Sequence, residues 1–206
     1  MEGLAGRLRL IVVTDPACGP GRTLVDVVRA ALRGGAPAVQ LRAKDASARE
    51  MAELARALLA ETRAAGALLF VNDRVDVALA VGADGAHVGE DDLPVGAARL
   101  IVPEGFLLGM SAATPELAIA AQEDGADYVG VGPVYATASK PDAGDPVGAA
   151  RIAAVAAAVR IPVVGIGGID ASNARTVVEA GAAGVAVISA VMQAGDPEAA
   201  VRELMR

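Results

Sequence analysis

The chain has no tryptophan, one cysteine, one histidine and four aromatic residues in a length of 206. Each scarcity removes a class of function. Four aromatics cannot line a groove that stacks nucleotide bases. An excess of 25 Asp+Glu over 18 Lys+Arg, a formal charge of −7, leaves no basic footprint for nucleic acid. A single cysteine makes neither an intramolecular disulfide nor a cysteine-rich zinc site, so a cytoplasmic, reducing setting is expected. Long hydrophobic runs are missing as well, despite a mean hydropathy of +0.47. The longest apolar stretch without charge, Ala182 to Met192 with one serine, falls well short of the roughly 20 residues that a membrane-spanning helix needs. The short apolar run Leu10 to Val13, closed by Thr14 and Asp15, reads as a first strand and not as a signal peptide.

What is present is a rhythm. Apolar bursts of five or six residues recur, and four of them open on the same Gly-Ala phrase, at Gly35, Gly82, Gly125 and Gly181, spaced by 47, 43 and 56 residues. Another burst lies before the first phrase and between each later pair: Leu10 to Val13, Ala67 to Val71, Phe106 to Met110 and Pro162 to Ile166. Eight strand-like bursts at about 25 residues apart allow one helix and two turns per repeat. The intervening segments 24–32, 48–65, 95–100, 115–123, 149–159, 171–180 and 197–205 are rich in Ala, Leu, Glu and Arg and read as helices. Ser47, Thr114 and Ser172 stand where N-caps belong, with Pro115 and Pro197 in first turns. The Gly-Ala phrase reads as a helix-terminating glycine that leads straight into a strand. Continuous apolar strands mark a parallel sheet buried on both faces. Eight βα units close most economically as one small (β/α)8 TIM barrel spanning residues 1–206. A doubly wound open sheet is the alternative, disfavoured by the eightfold count and by the lack of a Gly-x-Gly-x-x-Gly turn after the first strand.

In such a barrel the chemistry gathers where strands end. Polar residues follow the bursts: Thr14-Asp15, then Gln40, Arg42 and Lys44, then Asn72-Asp73, His87 with Glu90-Asp91-Asp92, Ser111, Thr137 with Ser139 and Lys140, the glycines 165, 167 and 168, and Ile188-Ser189. The strand starts are read as lacking such residues. Gln40, Arg42 and Lys44, two apart on an extended chain, share a face and suit a polyanion. Asp73 and Asp92, ending neighbouring strands, make a hard oxygen pair suited to Mg2+. Two alternatives stand beside that reading: Asp92 as cap of a helix starting near Pro94, and Asp91 as the ligand. The glycines after the seventh strand and Ile188-Ser189 after the eighth match a backbone phosphate cup. Two anion sites imply two phosphorylated substrates, or one substrate with phosphate at both ends. His87, inside a strand, reads as a hydrogen-bonded structural residue, Cys18 as incidental, and Phe70, Phe106, Tyr128 and Tyr135 as packing residues.

Several of these phrases, taken together and in order, are similar to one family. Gln40-Leu41-Arg42-Ala43-Lys44, Asn72-Asp73-Arg74-Val75-Asp76, the run from Gly85 to Pro94, the run from Ala126 to Thr137, and Ile166-Gly167-Gly168-Ile169 resemble thiamine phosphate synthase over essentially the whole chain. The resemblance implies a (β/α)8 barrel that joins hydroxymethylpyrimidine diphosphate to a thiazole phosphate, giving thiamine phosphate and pyrophosphate. It implies that Gln40, Arg42, Lys44, Asn72 and Lys140 hold the diphosphate and that Asp73 and Asp92 hold Mg2+. It further implies that Ser111, Thr137 and Ser139 line the pyrimidine and thiazole sites, and that Gly168, Ile188 and Ser189 seat the thiazole phosphate. Arg42, Lys140 and Ser111 are the residues expected to carry catalysis. The implied reaction is dissociative, with pyrophosphate leaving before the thiazole nitrogen attacks. The expected partners are small molecules, with neither nucleic acid nor membrane; a homo-oligomer is compatible with the sequence.

Two positions depart from the family's pattern. Ala113 stands where a histidine is frequent, and Ser139 where threonine is frequent. A related thiazole tautomerase uses a histidine near the first of these and tends to lack the diphosphate and metal residues, the reverse of this chain. A barrel that binds thiamine phosphates without turnover is the other alternative.

Overall fold

The computed structural model describes residues 3–19, 21–139 and 144–206. Eight parallel strands run in chain order around a closed barrel, the last pairing with the first. They are β1 (Leu10–Val13), β2 (Ala38–Leu41), β3 (Leu68–Asn72), β4 (Gly85–Val88), β5 (Leu107–Ser111), β6 (Tyr128–Val131), β7 (Val163–Ile166) and β8 (Gly184–Val187). The helices are α1 (Leu4–Arg7), α2 (Leu24–Arg33), α3 (Ala48–Ala65), α4 (Val75–Val81), α5 (Val95–Arg99), α6 (Pro115–Glu123), α7 (Gly148–Ala158), α8 (Ala174–Glu179), α9 (Ser189–Met192) and α10 (Pro197–Leu204). No helix among the described residues is long and apolar enough to cross a membrane.

Burial follows the alternation of each strand. One face packs inward, where Ile11, Val13, Ala38, Leu68, Phe70, Tyr128, Val164 and Ala186 form a core inside the barrel, joined at its base by Leu8 and Leu4 of the α1 segment. The other face meets the helices in a larger shell that includes Val12, Val39, Leu41, Leu69, Val71, Leu108 and Val129. This double burial is why the strands read as unbroken apolar runs.

Local signals account for most helix boundaries. Ser47 and Thr23 each form a capping box, with Glu50 and Asp26 respectively. Thr114 and Asp196 cap helices that begin with proline. All four glycines of the Gly-Ala phrase have positive φ, from 73° at Gly82 to 107° at Gly181, which only glycine adopts without strain.

The structure corrects four expectations. The expected helix 171–180 begins only at Ala174, and Ser172 does not cap it; its hydroxyl donates to Asp170 (2.5 Å) within the preceding turn. Residues 75–81 form α4, which the composition conceals because valines at 75, 77 and 81 break helix-former statistics; burial of Val75, Val77 and Ala78 holds it. Gly165 is no part of a cup. It lies within β7, and a Cβ there would stand 2.4 Å from a Val177 methyl, so the glycine lets α8 pack close to the barrel.

The strand starts, finally, are not without polar residues. Asp84 and Asp127 follow two of the Gly-Ala phrases, and each accepts a backbone N–H from the preceding strand, Leu69 (2.8 Å) and Leu108 (2.7 Å). Asp127 also pairs with Arg99, whose guanidinium donates to the carbonyls of Gly125 and Phe106 as well. Asp127→Ala leaves the Leu108 N–H and Arg99 without this acceptor and is expected to lower unfolding free energy by about 1–3 kcal/mol in urea titration. The exposed neighbour change Asp124→Ala is expected to stay within about 0.5 kcal/mol of the parent.

Candidate active site

Parallel closure carries every strand's carboxyl end to one rim. There a cavity of about 600 Å³ opens, and twelve of the thirteen residues expected at the site line it. The thirteenth, Lys140, lies outside the described residues.

The first wall comes from β1 to β3. Thr14, fully buried, accepts the Arg42 N–H with its hydroxyl oxygen (2.9 Å), and its own N–H donates to the Gln40 carbonyl (2.9 Å). This pins the point at which β2 hands its polar residues to the cavity. Arg42 is half-buried, with its guanidinium 4.0 Å from the Asp15 carboxylate. Lys44 is exposed at the mouth. Gln40 donates its side-chain amide to the Asn72 oxygen (2.8 Å). That bond uses the Asn72 oxygen, and Asn72 also lines the cavity.

The second wall is acidic. Asp73 is the one non-glycine described residue with positive φ, at 63°. Its N–H donates to the His87 carbonyl (2.7 Å), which holds the unusual backbone in place. Asp92 folds back to accept the Gly89 N–H (2.7 Å) and reaches the Asp73 carboxyl. It does not cap α5, whose N-cap is Pro94 with no side-chain bond. Asp91 lines the cavity but is exposed. Burial and the facing Asp92 push the Asp73 carboxyl from its ordinary 3.8 up to about 6, against the opposing pull of Lys44 and Arg42. A half-buried pair of carboxylates repelling one another is a donor set for a hard cation. Among the described residues no group of three or more acidic, His or Cys side chains converges on a metal position.

The third wall is built of backbone and hydroxyls. Val134 and Tyr135 donate N–H groups to the Ile166 and Gly167 carbonyls, extending β6 along β7. A Cβ at Gly167 would stand 2.6 Å from Pro133, and one at Gly168 2.5 Å from the Ala136 carbonyl, so both positions need glycine for this close approach. Asn173 anchors the Gly168 carbonyl (2.9 Å). Thr137 accepts the Ser139 N–H with its hydroxyl (3.2 Å), placing both hydroxyl residues on the lining. Ile188 turns the chain out of β8, and Ser189 opens α9 at the cavity wall.

At the floor, His87 contacts Tyr128 Oη through Nδ1 (3.1 Å) and Ser111 Oγ through Nε2 (3.1 Å). His87 is therefore hydrogen-bonded, as read from the sequence, but it also lines the cavity, as Tyr128 does. Tyr128, read as a packing residue, carries a polar contact too. No sequence signal pointed to this pairing: the register of β4, β5 and β6 brings His87, Gly109 and Tyr128 side by side. Cys18 is buried in the loop after β1, its thiol against the carbonyls of Pro16 and Arg22.

Comparison with known proteins agrees over nearly the full length. The family model described as thiamine monophosphate synthase matches residues 10–191. A thiamine-phosphate synthase of Roseiflexus castenholzii is 56% identical over 200 residues, 97% of this chain and 88% of the relative. One from Moorella thermoacetica is 53% identical, covering 95% of this chain and 93% of the relative. The solved structure of thiamine phosphate pyrophosphorylase from Pyrococcus furiosus superimposes with a TM-score of 0.90 at 44% identity, covering 98% and 96% of the two chains.

The raised Asp73 carboxyl gives a signed pH dependence. Its folded value lies above the ordinary one, so its contribution to stability is full below 3.8 and is lost as pH rises through about 6. In metal-free buffer, Asp92→Asn removes the repulsion and is expected to raise the Tm near pH 7.5. Near pH 5, where Asp73 is largely protonated, the same change is expected to shift the Tm far less. Equal shifts at both pH values would show that the two carboxyls are uncoupled.

Proposed function

The chain belongs to the thiamine monophosphate synthase family, and from that premise we propose that it joins hydroxymethylpyrimidine diphosphate to a thiazole phosphate, releasing pyrophosphate. The observation that carries this reading is the convergence on one rim cavity of a cationic and amide wall, a pair of facing carboxylates and a backbone-and-hydroxyl cup. These provisions match a diphosphate at one side and a monophosphate at the other.

Each residue then has a task that follows from its chemistry. Gln40 and Asn72 present amide groups to the diphosphate, with Arg42 and Lys44 supplying positive charge. Lys140 joins them on the strength of the family resemblance. Asp73 and Asp92 would hold Mg2+, which when bound supplies charge for the departing pyrophosphate oxygens. Thr137 and Ser139 line the ring sites with hydroxyls, and Gly168, Ile188 and Ser189 seat the thiazole phosphate.

Arg42, Lys140 and Ser111 act at the reacting end. Cations beside the leaving group favour its departure before bond formation, while the cup and the hydroxyls hold the thiazole nitrogen in position to attack. Such a route needs no protein nucleophile. The thiol of Cys18, enclosed by its own loop, supports that view. Ala113 lines the cavity with a methyl group and offers no acid or base to a tautomerase reaction.

Turnover with both substrates and Mg2+, followed by pyrophosphate release, tests the reading directly; no release by the parent protein would overturn it. Asp92→Ala is expected to cut Mg2+-dependent turnover by about 10²-fold or more with the far-ultraviolet circular dichroism unchanged. Full activity would instead move the metal role to Asp91. Ser189→Ala is expected to raise KM for the thiazole phosphate by about tenfold, the scale of one hydrogen bond to a charged group, and to leave KM for the diphosphate unchanged. Equal effects on both substrates would refute the division into two anion sites.

A further inference from the structure

The cavity floor contains a chain of three side chains whose proton positions are decided by burial. Tyr128 is fully enclosed, at 1% exposure, and its one hydrogen-bond partner among the described residues is His87. Burial pushes the phenol's ionisation upward, so it keeps its proton. A buried O–H without an acceptor loses the energy of its hydrogen bonds to water. Nδ1 of His87 can accept this proton only if Nδ1 itself carries none. In a neutral imidazole the proton then sits on Nε2, and Nε2–H donates to Ser111 Oγ at 3.1 Å. With the other neutral tautomer or the imidazolium, Nδ1–H would donate to the Tyr128 oxygen and leave the buried phenol O–H without an acceptor among the described residues.

Two glycines make room for this chain. Gly109 lies in register between His87 and Tyr128. A Cβ there would stand 2.2 Å from Tyr128 Cζ and 2.5 Å from its hydroxyl oxygen, so no side chain fits beneath the phenol. A Cβ at Gly130, which is in register with Ser111, would stand 3.1 Å from His87 Cε1. The rings of His87 and Tyr128 consequently come to 5.5 Å between centroids, with Phe70 closing the other side of Tyr128 at 5.4 Å.

We propose that Tyr128 and His87 are positioning residues that act through Ser111, fixing it as a hydrogen-bond donor to a lone-pair atom of the heterocyclic substrate. With its oxygen occupied by Nε2–H, the Ser111 hydroxyl keeps its own proton for the cavity. The direction Tyr128 to His87 to Ser111 to substrate is thereby set before binding. This inference rests on the proposed reaction for the identity of the acceptor, and on the geometry alone for the proton positions.

The chain's one histidine makes the test direct. A long-range ¹H–¹⁵N spectrum of the labelled protein, with any affinity tag removed, shows one imidazole. Near neutral pH the proton is expected on Nε2 with Nδ1 unprotonated, and Tyr128→Phe is expected to release that preference. A proton on Nδ1, or on both nitrogens, would overturn the proposal whether or not the protein turns over. The kinetic arm is a double-mutant cycle. Tyr128→Phe is expected to lower kcat by about tenfold when Ser111 is present, and by less than about twofold in a Ser111→Ala background. Equal losses in both backgrounds would make Tyr128 a packing residue only. If the parent protein releases no pyrophosphate, the proposed reaction fails while the spectrum still decides the proton relay.

Discussion

Closure of the barrel is the constraint on which the rest depends. The ladder between β1 and β8, with Leu10, Ile11 and Val12 set against Val185, Ala186 and Val187, turns an eight-stranded row into a ring without edges. Because all strands are parallel, closure also delivers every carboxyl end to one rim. Residues as far apart in the chain as Gln40 and Ser189 then line one cavity. At the opposite end Leu8 and Leu4 pack against the inner core. Function at the rim and stability at the base are thereby separated. Asp84 and Asp127 stitch neighbouring strands at one end while the cavity lies at the other.

The site works against the charge of the molecule that carries it. A chain with a net charge of −7 gathers Arg42 and Lys44 at one lip of the cavity, opposite two carboxylates that push one of their own above its ordinary ionisation. That arrangement is costly without a cation. The left-handed backbone at Asp73 adds to the local strain, a cost that proteins commonly retain where function requires it. The wall around Gly167, Gly168 and Ser189 is built in the reverse way. It relies on glycines and hydroxyls, with close backbone approach in place of charge.

Much of this was legible from residue order. Eight apolar bursts, the Gly-Ala phrase and the caps at Ser47 and Thr114 announced the barrel because each is a local requirement: double burial, positive φ, an unsatisfied helix end. The helix at 75–81 was not legible, since its valines favour strands and only packing against the barrel outweighs them. Ser172 looked like a cap because its residue type suits one. The turn at Asp170 claims its hydroxyl instead. Gly165 looked like part of a cup because glycines cluster there, whereas its role is close packing against Val177.

The sequence by itself determined the repeat, the parallel sheet and the identity of nearly all the polar residues at the rim, because these follow from evenly spaced, unbroken apolar bursts, from the helix formers between them and from motif order. Only the tertiary structure decided which of those residues face one another. It chose Asp92 over Asp91 as the partner of Asp73. It set the Gln40 amide against Asn72, and joined Tyr128, His87 and Ser111 across three strands. The reason is physical. Contacts between strands depend on register and on the space left by glycines such as Gly109, and neither is expressed in the spacing of residues along one chain.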